Sequence, residues 1–492
     1  MKVSNLLLIS TVAVGALGGL YGCTEGDETS IVVEGDTSNP DNGNGGNGDI
    51  SQNCPPEFSD ARPQTADGTD VCELNANIVS DVTLTSDIIW RIDGRVTVGN
   101  GDRELASETQ LANGQDLLNV TMTIEPGTHL VGADAFSPDL FSNLVITRGS
   151  RIIADGTADA PIVFSSEDDD FEGNQEWGGL ILSGFAPHNA CEGDFCNVDG
   201  EGNAGFIGGD NPDDSSGILR YVVLAEGGEI INDDGDEING ISFNAVGSGT
   251  TLEYIQVHGN TDDGIEFYGG TVDAKYVVLT ANQDDSLDWD EGYQGNIQFM
   301  LLIQDSENGD HCIEADTFGN PVPPESKPTI ANATIVCAGD PEYASFRMKE
   351  GTGGFFHGTV LSNLAGGPEN CVGVEDDARD NRNSSLVFDQ FIADCTNFEI
   401  AGPNKDQIGT SEPALSTENV FQVDAALNAL YGSQAAEARL AETINWGQYS
   451  VDNYEESVAD PSFFTPTNYL GAVDPDATEA WWQGWTLEGT VP

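Results

Sequence analysis

The chain has 492 residues and carries 84 acidic against 16 basic side chains, a formal net charge of −68. Such a field repels nucleic acid and anionic lipid, so neither is expected as a direct partner. A hydrophobic content of 38% together with internal repeats indicates a folded body rather than a disordered polyanion, its acidity serving solubility in saline water or the binding of divalent cations.

Residues 1–22 read as a targeting segment: Lys2 gives the positive start, and the apolar run from Leu6 to Leu20 ends in small residues. Leu20-Tyr21-Gly22-Cys23 resembles a bacterial lipobox, which implies cleavage before Cys23 and lipidation of its thiol. The alternative is an ordinary secretory signal. Thr24 in place of Asp after the cysteine suits sorting to the outer membrane, so the expected location is that of an exported outer-membrane lipoprotein, at the cell surface or on the periplasmic face. No second apolar segment is long enough to span a bilayer, leaving lipid as the anchor. Residues 23–51 are rich in Gly, Asn and Asp and read as a flexible acidic tether.

Setting Cys23 aside leaves eight cysteines, an even number that suits disulfides in an exported chain. Cys312 and Cys337 are 25 residues apart and Cys371 and Cys395 are 24 apart, each about one repeat. Residues one coil apart stack at a separation a disulfide accepts. The expected pairs are therefore Cys312–Cys337 and Cys371–Cys395, with Cys54–Cys72 and Cys191–Cys196 closing local loops. A zinc site is disfavoured, since CEGDFC lacks matching CxxC pairs.

Residues 52–118 have a weak pattern, with strands expected at Val82-Thr83-Leu84 and Ile88-Ile89-Trp90-Arg91-Ile92, and read as the N-terminal cap and first coils. Residues 119–415 repeat. Tyr254 aligns with Tyr276 at an offset of 22 residues, which places Asp262-Asp263-Gly264-Ile265-Glu266-Phe267 over Asp284-Asp285-Ser286-Leu287-Asp288-Trp289. Asn239-Gly240-Ile241-Ser242-Phe243 precedes them in the same order, and Asp310-His311-Cys312-Ile313-Glu314 follows. A period in the low twenties, with β-branched alternation and Gly/Asn/Asp turns but no helical stripe, means one coil per repeat. The fold class is all-β: a right-handed parallel β-helix. In residues 416–492, Asn419 to Ile444 has helical periodicity, and Trp481, Trp482 and Trp485 mark the tail. Together they are expected as a small C-terminal helical, Trp-rich segment capping the open end of the solenoid. A sugar-stacking platform is the alternative for the tryptophans.

The order IEPGT, a Gly-Ser-Arg-Ile strand, ADGTADAPIVF and WGGLILSG resembles a bacterial surface family of β-helix lipoproteins with a pectate-lyase-like solenoid. The closing segment, from Pro461-Ser462-Phe463-Phe464 through Tyr469-Leu470-Gly471-Ala472 to Trp481-Trp482-Gln483-Gly484-Trp485-Thr486, resembles that family's end module. The resemblance covers residues 120–490 and implies a surface protein that binds or presents a ligand, as an accessory of a TonB-dependent uptake receptor, without implying a reaction. A structural surface spacer is a further alternative.

Two site readings come from the same coils. Asp284, Asp285, Asp288, Asp290 and Glu291 place five hard oxygen ligands within eight positions, a composition that suits calcium, with solvated turns as the alternative. Strand alternation keeps all five from sharing one ion. Separately, Asn260-Thr261-Asp262, Gln283-Asp284-Asp285, Asp310-His311 and Arg347-Met348-Lys349 resemble the ordered motifs of the polygalacturonases. That resemblance implies an inverting glycosidase acting on an acidic polysaccharide, with Asp262, Asp284 and Asp285 as catalytic carboxylates and His311, Arg347 and Lys349 as accessory groups. The His lies between Asp310 and Cys312 where that family has glycines. Coil repetition by itself also produces recurring Asp-Asp pairs.

Overall fold

The computed structural model describes residues 50–58, 62–133, 142–168, 170–191, 195–230, 237–305, 309–318, 323–339, 343–363, 367–374, 386–394, 397–401, 407–408, 420–421, 462–474 and 476–491. The segment read as a signal, Cys23 and nearly all of the tether lie outside these residues.

The strands Ile241–Asn244, Ile265–Tyr268, Leu287–Asp290 and Ile313–Ala315 pair in parallel, with Ile241, Ile265, Leu287 and Ile313 on one rung. This is the register the repeat predicts. The same sheet runs from Asn77–Ile78 to Gln407–Ile408. On its inner side Leu144, Leu180, Ile241, Ile265, Leu287, Ile313 and Phe346 are all buried, each stacked between like neighbours, so the core is one continuous column. Parallel strands about 4.8 Å apart make every rung a side-chain contact. The expected strands Val82–Leu84 and Ile88–Ile92 are present, and the latter pairs with Asp70–Glu73 as the solenoid begins.

The other face of each coil is a long strand bent at one point. Gly217–Ala225, Thr251–His258, Ala274–Thr280, Asn296–Ile303 and Thr329–Cys337 each carry one residue of positive φ at the bend: Tyr221, Tyr254, Tyr276, Phe299 and Asn332. A non-glycine residue there costs about 1–2 kcal/mol. Column formation offsets the cost, because the Tyr221–Tyr254, Tyr254–Tyr276 and Tyr276–Phe299 rings stack at 4.3, 4.4 and 5.0 Å. Each such pair contributes roughly 0.5–1.5 kcal/mol.

The Trp-rich tail lies along this aromatic column and not over an end of the solenoid. Trp485 meets Tyr221 and Tyr254 edge-on, Trp481 meets Tyr276, and Val223, Val278 and Leu301 pack with Trp482 and Trp485. Polar side chains of the bends hold its backbone: Leu487 N donates to Gln256 Oε1 at 2.8 Å, Thr465 N to Gln298 Oε1 at 2.8 Å, and Asn332 Nδ2 to Tyr469 O at 3.1 Å. Gly471 has φ +78 and donates to Gly358 O at 2.7 Å, and a Cβ there would lie 2.6 Å from Thr334 Oγ1. On the flank the tail buries its tryptophans against the outward-facing rings. Trp482 and Trp485 are buried against the flank and present no open face for a sugar, while Trp481 is half-buried. The described residues contain no α-helix. At the start of the segment expected to be helical, Val420–Phe421 instead pairs in parallel with Ile392 and Ala393. The remainder of that segment lies outside the described residues.

Cys54–Cys72, Cys191–Cys196 and Cys312–Cys337 are disulfides, as spacing predicts. Cys312 and Cys337 belong to successive coils but not to one rung, since the N–H of Cys312 donates to Ser345 O. Cys371 is also disulfide-bonded, while Cys395, its expected partner, lies outside the described residues.

Candidate functional site: an acidic ladder

Alternation turns Ser242, Glu266, Asp288, Glu314 and Arg347 outward on one rung, from successive coils of the first sheet. The turn before each strand adds a second column: Asp263 Oδ1 accepts the N–H of Asp285 at 2.9 Å, and Asp285 Oδ1 accepts the N–H of His311 at 2.7 Å. Tyr268 and Asp290 share the rung two positions further along, where Asp316 follows. Acidic side chains therefore gather from three consecutive coils. An insertion between the strands Gly179–Ser183 and Gly217–Ala225 closes off one end. It is anchored by Arg148, fully buried and donating to the carbonyls of Gly101, Arg103 and Cys196, and tied sideways through His188–Glu291 and Asn189 to Thr317 O. Arg347 and Lys349 form the other end, both paired to Glu314, with Lys349 also 3.2 Å from Asp316.

Within this face, Asp263, Glu266 and Asp288 are 5, 9 and 8% exposed, and one oxygen of each lies within 4.8 Å of the others. Burial raises Asp263 and Asp288 well above the usual carboxylate range, and the neighbouring acids add to the effect. Burial also pushes Glu266 up to about 8, against the hydrogen bonds donated by Tyr268 and Asn239. Asp290 is pushed up to about 11 by burial and by Asp316. His311 is disfavoured as a cation by burial, yet Asp285 and Asp310, each 3.5 Å from Nδ1, outweigh that and lift it to about 10. Asp288 Oδ1 is buried with no hydrogen-bond partner.

The five residues expected to form a calcium site do not converge as a run. Asp288 and Asp290 face out on one strand, Asp284 is exposed, Asp285 turns to His311, and Glu291 pairs with His188. Of the residues expected to be catalytic, Asp262 and Asp284 gather with Asp263 within 4.8 Å, whereas Asp285 belongs with His311 and Glu314. Arg347 and Lys349 are engaged by Glu314. Sequence reasoning passed over Asp263, Glu266 and Glu314, although the repeat carried the signal: Glu266, Asp288 and Glu314 occupy one position of successive units.

Three oxygens at this spacing suit a hard cation, because oxygens on one calcium at about 2.3–2.6 Å lie no more than about 5 Å apart. An inverting glycosidase needs its carboxyls about 6.5–9.5 Å apart to admit water.

The stacked parallel sheets define a right-handed parallel β-helix, a fold that fits a surface or carbohydrate-related protein. The chain belongs to the pectate-lyase like beta helix domain family, which it matches over residues 77–450. No curated protein and no solved structure matches it.

Proposed function

We propose that this is an exported, lipid-anchored β-helix protein that binds a glycan at the cell surface through a divalent cation held on the acidic ladder. One observation carries the reading: Asp263, Glu266 and Asp288 come from consecutive coils, are buried, and present oxygens within 4.8 Å of one another, with Asp288 Oδ1 unpartnered. Calcium takes 6–8 oxygen ligands, so such a trio leaves positions that sugar hydroxyl or carboxylate oxygens complete. A cation is also what allows a chain of net charge −68 to hold an acidic glycan. Tethered at the outer membrane, such a protein would present its ligand to a TonB-dependent uptake receptor.

Glycan cleavage is the second reading, favoured by Glu266, which at about 8 carries a proton at neutral pH as a general acid must. Calorimetric titration of the purified chain with polygalacturonate and with neutral oligosaccharides, in calcium and in chelator, tests both when reducing ends are followed in the same samples. Calcium-dependent binding that disappears in Asp288→Asn, without release of reducing ends, is expected. Binding indifferent to chelator and to Asp288→Asn would overturn the cation reading. Reducing ends that vanish in Glu266→Gln would establish the glycosidase instead.

A further inference from the structure

A second group of carboxylates lies outside the ladder, on coils nearer the N-terminus. The segment leading from the strand Ile162–Ser166 to Gly179–Ser183 carries Asp168 and Glu176, and the strand Gly217–Ala225 of the next coil runs into Glu226. One oxygen of each lies within 4.8 Å of the others. Glu226 is 0% exposed; its Oε2 accepts the N–H of Ser166 at 3.1 Å, while Oε1 is buried without any partner. Glu176 Oε2 is buried and unpartnered as well. Asp168 completes the set from the exposed side, its Oδ1 accepting from Ser166 Oγ at 2.9 Å.

The backbone fixes this geometry. Gln175 N donates to Gly227 O at 2.9 Å and Glu176 N to Glu226 O at 3.1 Å, binding the segment to the corner. Glu226 holds φ +62 at a corner where later coils place Gly259 and Ala281. A long acidic side chain therefore stands at a left-handed position and points at two other acids. Among the described residues no ion pair includes Asp168, Glu176 or Glu226, whereas Glu314 of the ladder has Arg347 and Lys349. Uncompensated buried carboxylates are costly unless a cation or a shared proton neutralises them.

We propose that Asp168, Glu176 and Glu226 hold a second divalent cation of the calcium class, independent of the ladder, which pins Asp168 and residues 170–176 to the coil. The oxygen-only donor set and the spacing suit calcium, and two of the three residues, on different segments, each carry a buried oxygen without a hydrogen-bond partner.

The test is a calcium titration of the chelator-stripped full chain by calorimetry, with protease cleavage within residues 170–176 followed with and without the ion. Glu226→Gln should bind one calcium fewer per chain than wild type and lose calcium-dependent protection of that segment, while Asp288→Asn loses the ladder ion but keeps the second ion and the protection of the segment. Asp168→Asn, at an exposed position where folding is not at risk, should weaken the same site. If the ladder reading fails instead, Asp288→Asn will match wild type while Glu226→Gln still loses an ion. Calcium binding and protection unchanged in both Glu226→Gln and Asp168→Asn would overturn the proposal. So would a wild-type chain that binds no calcium, since Glu176 and Glu226 would then share a proton.

Discussion

Replacing Trp485 with Ala separates the docking of the tail from the stability of the coils. Trp485 is 2% exposed, meets Tyr221 and Tyr254 edge-on at 5.8 and 6.0 Å, and donates its indole N–H to Trp481 O at 2.9 Å. Buried Trp→Ala changes cost about 3–5 kcal/mol, of which two edge-to-face contacts account for roughly 1–3. The ladders of the solenoid do not pass through Trp485, so the loss should fall on local opening of the tail. At about 1.4 kcal/mol per decade, that opening becomes roughly a hundred- to several-thousand-fold more frequent. Hydrogen exchange reads it directly at the N–H of Leu487, bonded to Gln256 Oε1, and of Ala472, bonded to Thr334 Oγ1. The inward rungs at Ile255 and Val257 should keep their protection. Exchange of Leu487 within a factor of about ten of wild type, a loss worth only about 1.4 kcal/mol, would refute the reasoning. Equal loss at Ile255 would show instead that tail and coils open as one unit.

Ile265→Asp places an unpaired charge between Ile241 and Leu287 in the core column and should destabilise by several kcal/mol, read by denaturant melts; an unchanged midpoint would mean that the facing is wrong. His311 holds its proton up to about 10 in the folded chain against 6.5 unfolded, so its contribution is fully present below pH 6.5 and is lost as pH rises toward 10. The melting advantage of wild type over His311→Asn should therefore shrink across that window, by on the order of a few kcal/mol. Replacing Cys312 and Cys337 together by Ala removes a bridge closing a separation of 25 residues and should cost about 3.5 kcal/mol, measured in the same melts with and without reductant.

Much of the fold was legible because the coil period is local. Once Tyr254 is set over Tyr276, the rungs Ile241, Ile265, Leu287 and Ile313 follow, and the strand pairings reproduce them. Sulfur pairing was legible for the same reason, since a coil's length brings Cys312 near Cys337 even though they sit on different rungs. The grouping of carboxylates was only half legible. Composition put acids in the coil from Asp284 to Glu291, but an ion or ligand meets acids of adjacent coils brought side by side rather than a run along one. Asp263 and Glu266 join Asp288 through stacking and strand alternation, while Asp284 remains at the surface.

The coil period, the inward rungs and the Cys312–Cys337 pairing were thus determined by the sequence itself, because each depends on spacing along the chain and on alternation. Tertiary structure alone decided the path of the tail, the insertion that bounds the ladder, and the meeting of Asp168, Glu176 and Glu226. These rest on contacts between residues tens to hundreds of positions apart, and no periodicity in the chain encodes which outward-facing surface a non-repeating segment will cover.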